Sequence, residues 1–116
     1  MAWSEFEHRR IEKLVGQFVE GRRPPPGLRN QVDFAFRLER QSVVLFETRP
    51  CWRGSQGESM EGPVAKATYV KSRGIWRVYW MRADLKWHGY EPCPVVGDVE
   101  AFLRLVDDDV HHCFFG

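Results

Sequence analysis

The chain has 116 residues, of which 43% are hydrophobic and 14% aromatic, and its 17 basic and 16 acidic residues leave a net charge of +1. This length fits one domain over residues 1–116, and the balanced charge excludes a histone-like polycation and an acidic tail protein. The longest apolar run, residues 43–46, is far shorter than the roughly 20 residues of a membrane-spanning helix.

The first predicted element is an amphipathic helix over residues 4–20. Ser4 and Glu7 have the spacing of a capping box, in which each side chain satisfies a backbone N–H of the other residue. The apolar positions that repeat with the helical period are Ile11, Leu14, Val15, Phe18 and Val19. Residues 22–27, with three consecutive prolines, are then expected to be extended, because proline cannot continue a helix.

Five strands are predicted next, and a second helix closes the chain. Alternating apolar and polar residues indicate a first strand over residues 32–39. The following strands are predicted at residues 42–49, 64–71, 75–82 and 85–90, and a flexible loop is predicted at residues 53–62. Pro92 and Pro94 are expected to end the last strand, and Asp98 is the expected N-cap of a helix that ends near residue 109.

The short connections between these strands favour an antiparallel meander. We therefore expect an α+β domain with about five strands, and with the N-terminal and C-terminal helices packed on one face of the sheet.

Charge is unevenly distributed along the chain, although it sums to near zero. Residues 22–90 hold 13 basic and six acidic residues, whereas residues 98–116 hold one basic residue and five acidic ones. In the fourth predicted strand, Arg77 and Tyr79 share one face, while Trp80 and Arg82 share the other. Such a basic and aromatic sheet can clamp anionic groups with its cations and stack rings on its aromatic side chains. The candidate ligand-binding residues are Arg49, Trp52, Lys66, Tyr79, Arg82, Lys86, Trp87, His88 and Tyr90.

Three other uses of these residues are open. Nucleic-acid binding is one, because bases stack on exposed aromatics and phosphates bind cations. A second is a divergent magnesium-dependent nuclease, in which Asp33 and Glu47 would hold the metal and Arg49 would stand where lysine is usual. The third is self-association of the sheet into a homodimer.

A zinc site is not expected, and neither is a disulfide framework. His111, His112 and Cys113 are adjacent, and consecutive side chains diverge, so they lack the spacing of a zinc motif. The three cysteines form an odd set, and the first residues do not have the pattern of a secretory signal. Both observations indicate reduced thiols in a cytoplasmic protein that does not enter a membrane.

Several segments together resemble a family of small bacterial proteins known as a domain of unknown function, number 3024 in its series. The similar segments are residues 23–25, 47–52, 65–69, 76–90 and 113–116. The resemblance implies a free-standing bacterial protein, but it implies no activity, no cofactor and no catalytic residue. From the residues themselves, we expect a non-enzymatic binding or regulatory module with an anionic partner.

Overall fold

The computed structural model describes residues 3–50 and 59–115. In these residues a six-stranded antiparallel sheet is preceded along the chain by one α-helix and followed by another. The elements are α1 (Glu5–Arg22), a 3-10 helix (Pro26–Leu28), β1 (Asp33–Glu39), β2 (Ser42–Pro50), β3 (Ser59–Val70), β4 (Ile75–Met81), β5 (Trp87–Gly89), β6 (Val95–Val96) and α2 (Val99–Asp108). Strands β1 to β5 follow one another in the sheet, and β6 also pairs with β4. The predicted α+β meander between two helices is therefore confirmed.

Both predicted N-caps are present. The Ser4 side chain accepts a hydrogen bond from the Glu7 backbone N–H at 3.1 Å, and Asp98 accepts one from the Ala101 N–H at 2.8 Å. Helix α1 continues to Arg22, two residues further than predicted. It ends there because Arg23 precedes proline and is therefore extended, with φ −63° and ψ 142°.

The predicted boundary between the loop at residues 53–62 and the third strand is wrong. Strand β3 begins at Ser59, so the last four residues of that predicted loop belong to the strand, while residues 53–58 lie outside the described residues. The sequence is misleading here because Gly62 and Pro63 look like strand breakers. Pro63 instead lies where the β2–β3 register shifts, and a bulge tolerates a residue without an N–H.

The edge of β4 carries two short strands instead of the single predicted strand at residues 85–90. Strand β5 pairs beside Tyr79 to Met81, and β6 pairs beside Trp76 and Arg77. Residues 90–94, which we call the arch, connect them. Val78 holds both ends of the arch, since its carbonyl accepts from the Tyr90 N–H at 2.9 Å and its N–H donates to the Pro94 carbonyl at 3.0 Å.

The core lies between the helices and one face of the sheet. Helix α1 contacts β1 and α2, and α2 contacts β3, β4 and β6. The most deeply buried core side chains are Val15, Val43, Leu45, Val64, Val78, Tyr90, Val99, Phe102 and Val106. The prediction that both helices pack on the same face is confirmed, and the acidic α2 lies on this helix-covered face.

Arg23 ties the end of α1 to the start of β1. Its Nε and Nη2 atoms donate to the two carboxylate oxygens of Asp33 at 3.0 and 2.8 Å, and its Nη1 donates to Glu20 at 3.0 Å. Asp33 also accepts from the Phe34 N–H at 2.8 Å. The planar guanidinium fork matches a carboxylate, so this pair fixes orientation as well as distance.

Asp109 holds the C-terminal segment against the core. Its backbone is left-handed, with φ 39° and ψ 51°, and its carboxylate accepts from the N–H groups of Phe114 and Phe115 at 3.0 and 2.9 Å. The Arg22 guanidinium lies 4.3 Å from the Phe115 ring centre and forms an ion pair with Asp107. The segment after α2 is thus fixed by hydrogen bonds and by ring packing.

No helix in the described residues is long and apolar enough to cross a membrane.

We predict that Asp33→Asn destabilises the protein at neutral pH and removes part of its acid sensitivity. The hydrogen bond from Arg23 lowers the pKa of the Asp33 carboxyl. Because the folded-state pKa lies below the unfolded value of about 3.9, the stabilisation is present above that value and is lost as the pH falls through the folded pKa. Thermal unfolding followed by circular dichroism should show a gap between the two proteins at pH 7 that narrows below about pH 4. Asp108→Asn, at an exposed position, is the control, and an equal gap at every pH would contradict the prediction.

We also predict that Asp109→Gly lowers the free energy of unfolding by about 2 kcal/mol, because it removes both carboxylate hydrogen bonds to the C-terminal segment. Glycine keeps the left-handed backbone conformation favourable, so the loss of stability measures the contribution of the Asp109 side chain. Asp109→Asn retains one acceptor oxygen and should lose less. Urea titration measures both changes, and a wild-type midpoint for Asp109→Gly would refute this role.

Candidate functional site

The two faces of β4 have different surroundings, because successive side chains of a strand point to opposite sides. Trp76 and Val78 are buried beneath the helices, whereas Arg77 is exposed and shares the opposite face with Tyr79. No described element packs on that opposite face, which we call the open face. The helices therefore cover the apolar side of β4 and leave its basic and aromatic side accessible.

A cluster of four side chains occupies the half of the open face formed by β3, β4 and β5. We call Lys66, Arg77, Tyr79 and Trp87 the open-face patch. Lys66 is paired with Tyr79 across the β3–β4 ladder, and its Nζ lies 5.9 Å from the Tyr79 ring centre and 5.8 Å from that of Trp87. Gly89 is the residue of β5 opposite Tyr79, so no side chain stands on that flank of the ring. The patch thus places an ammonium group near two partly accessible rings.

The charges of the open-face patch are not neutralised by described neighbours. In the β1–β2 half of the same face, Arg37 forms ion pairs with Glu39 and Glu61 and lies 4.9 Å from the Phe46 ring centre. Neither Lys66 nor Arg77 has an ion-pair partner among residues 3–50 and 59–115. The open face therefore has one half that is internally balanced and one half that retains positive charge.

The nine sequence-predicted candidates do not form one surface. Lys66, Tyr79 and Trp87 come together in the open-face patch, whereas Arg82, His88 and Tyr90 lie on the helix-covered side. Lys86 is exposed in the β4–β5 turn. Arg49 is exposed at the far end of β2 and faces Glu47 at 3.5 Å, and Trp52 lies outside the described residues. Arg77 was not among these candidates, although its alternation with Tyr79 indicated the shared face.

The second group of candidates borders a cavity of about 580 Å³ between the β4–β5 hairpin, the arch and the C-terminal segment. Its walls include Trp80, Arg82, His88, Tyr90, His111 and Cys113. The Arg82 guanidinium lies 5.5 Å from the Trp80 ring centre, and His88 Nε2 is 2.8 Å from an Asp84 oxygen. That contact lowers the pKa of Asp84.

The Cys113 thiol in the wall of this cavity is not activated for nucleophilic chemistry. Cys93 and Cys113 are free thiols. Burial, with a smaller contribution from Asp109, raises the pKa of the Cys113 thiol, so it is protonated at neutral pH. A nucleophilic cysteine would require the opposite shift.

The residues of the nuclease hypothesis are not arranged around a common point. Asp33 pairs with Thr48 in the β1–β2 ladder and Glu47 pairs with Phe34, which assigns the two carboxylates to opposite faces. Both oxygens of Asp33 are also bound by Arg23. Within the described residues, no group of three histidine, cysteine or acidic side chains is placed to hold a metal ion.

Comparison with known proteins places the chain in a family. Searches of curated proteins and of solved structures gave no match. The sequence model of a domain of unknown function, DUF3024, matches residues 3–116 and so covers nearly the whole chain. The match spans both helices and all six strands, and the chain belongs to the DUF3024 family.

Proposed function

We propose that this protein is a non-enzymatic binding module whose open-face patch takes an anionic partner. The observation that carries the proposal is the position of Lys66 near the rings of both Tyr79 and Trp87, with no described carboxylate to neutralise it. A cation held near aromatic rings and not engaged in an ion pair is available to a phosphate or carboxylate group.

The distribution of charge supports the same face. Arg77 lies two pairs along the β3–β4 ladder from Tyr79, on the same face, and adds a second cation to the patch. The acidic residues of α2 lie on the other side of the sheet, where they do not compete for these cations. A local excess of positive charge orients an approaching anion toward the open-face patch even when the net charge is near zero.

Single-stranded nucleic acid is the second candidate partner. Tyr79 and Trp87 present partly accessible rings on a sheet surface, and the absence of a side chain at Gly89 leaves space beside Tyr79. Stacking of bases on such rings is largely independent of sequence and is worth about 1–3 kcal/mol per base. This partner needs the rings, whereas a simple polyanion needs only the cations.

We predict that Lys66→Gln weakens the binding of both inorganic polyphosphate and labelled oligodeoxythymidylate by about tenfold, because it removes the central cation of the patch. Fluorescence anisotropy at low salt, with polyphosphate as competitor, measures both affinities. Lys13→Gln, at an exposed position of α1, is the matched control and should bind like the wild type. Equal affinity of the Lys66 and Lys13 variants would refute the proposed function.

We predict that Trp87→Leu separates the two candidate partners. Leucine cannot stack with a base, so the affinity for oligodeoxythymidylate should fall about tenfold while that for polyphosphate stays within about twofold. The same anisotropy titration measures the change. If both affinities stay unchanged, the anionic partner is supported and the nucleic-acid candidate is rejected.

The proposal includes a cytoplasmic location, as expected for a chain with free thiols at Cys93 and Cys113. A homodimer through the open face is the competing use of the same residues. Such a dimer would bury the open-face patch. Sedimentation velocity measures the oligomeric state, and a dimer that does not bind polyphosphate would favour self-association over ligand binding.

A further inference from the structure

The cavity on the helix-covered side is a second site, separate from the open-face patch. Its volume of about 580 Å³ falls within the range of about 300–1,000 Å³ that is typical of small-molecule sites. The hairpin and the arch line it with residues 80–94, and the C-terminal segment adds His111 and Cys113.

Tyr90 brings an unused polar group to this cavity. The residue is 2% exposed, and its ring centre lies 4.8 Å from that of Phe114. Its hydroxyl makes no hydrogen bond to another described residue, and it is not fully buried, because Glu100 Oε1 is the only fully buried side-chain nitrogen or oxygen without a partner in the described part of the chain. Burial raises the pKa of this phenol, so it carries its proton and can donate it to a ligand oxygen.

Arg82 adds a positive charge to the wall of the cavity. It is exposed, it has no ion-pair partner in the described part of the chain, and its guanidinium lies over Trp80. Tyr90 is anchored to Val78, two strand positions from Trp80, or roughly 7 Å along the backbone. The cation, the indole and the phenol thus border the same cavity.

The remaining lining residues restrict the ligand further. Trp80 and two prolines of the arch supply flat or apolar surface. Glu91 also borders the cavity, and its negative charge disfavours a ligand with several charges, such as a phosphate. A single carboxylate, which the Arg82 fork matches in shape, is favoured instead.

We propose that this cavity binds a small aromatic carboxylic acid. The carboxylate pairs with Arg82, the ring lies against Trp80, and an oxygen at the far end of the ring accepts a hydrogen bond from Tyr90. The inference is independent of the proposed function, because none of these three residues belongs to the open-face patch.

The test uses 4-hydroxybenzoate and 4-hydroxyphenylacetate as probes, with the methyl ester of 4-hydroxybenzoate as the uncharged comparison. Titration of the full chain, followed by NMR shifts of the tryptophan indole N–H signals, should show saturable binding of at least one acid and at least tenfold weaker binding of the ester. Absence of saturable binding by both acids, or equal binding of acid and ester, would overturn the proposal.

Two variants locate the binding. Tyr90→Phe removes one oxygen and keeps the ring against Phe114, and Arg82→Gln changes an exposed side chain, so both should fold. Each of these two substitutions should lower the affinity for the acid about tenfold, whereas Arg73→Gln, in the β3–β4 turn, should leave that affinity unchanged. Wild-type affinity in both the Tyr90 and Arg82 variants would overturn the assignment of the cavity. Polyphosphate binding by these variants should stay unchanged, so this test and that of the open-face patch can fail independently.

Discussion

Side chains alternate between the two faces of a β-strand, and in this protein helices cover only one of those faces. Each side chain of β4 and β5 therefore lies either on the helix-covered face or on the open face. Trp76 and Val78 stabilise the fold, while Arg77 and Tyr79, one residue away, remain available for binding. A shift of the register by one residue would bury the cations and expose the core, so the apolar face that fixes the register also fixes the composition of the open face.

This alternation also explains how a near-neutral chain can present a local excess of positive charge. Lys66 and Arg77 are separated from the acidic residues of α2 by the thickness of the sheet. Where opposite charges do share a face, as Arg37 does with Glu39 and Glu61, they neutralise each other. Lys66 and Arg77 differ in lacking such described neighbours. The physical quantity that matters for binding is thus the local balance of charge on one face.

Much of the fold follows from local sequence patterns, whereas the composition of the sites depends on long-range pairing. The helical spacing of Ile11, Val15 and Val19 and the cap at Asp98 are local, and they predicted both helices. The start of β3 was missed because Pro63 is acceptable only at a bulge that its pairing with β2 creates. Tyr90 looked like a neighbour of Trp87 and His88 on one surface, but the arch turns it into the core. The cavity beside it combines residues of the hairpin and the arch with His111 and Cys113, and local periodicity carries no information about that contact.

The arch has both of its ends hydrogen-bonded to one residue, Val78. The arch forms one wall of the cavity, and it cannot move outward unless the hydrogen bonds of Val78 to Tyr90 and Pro94 break. The shape of the cavity is therefore set when the sheet forms, before any ligand arrives. Conformational entropy that a flexible loop would lose on binding has already been lost during folding, which makes this region a preorganised receptor.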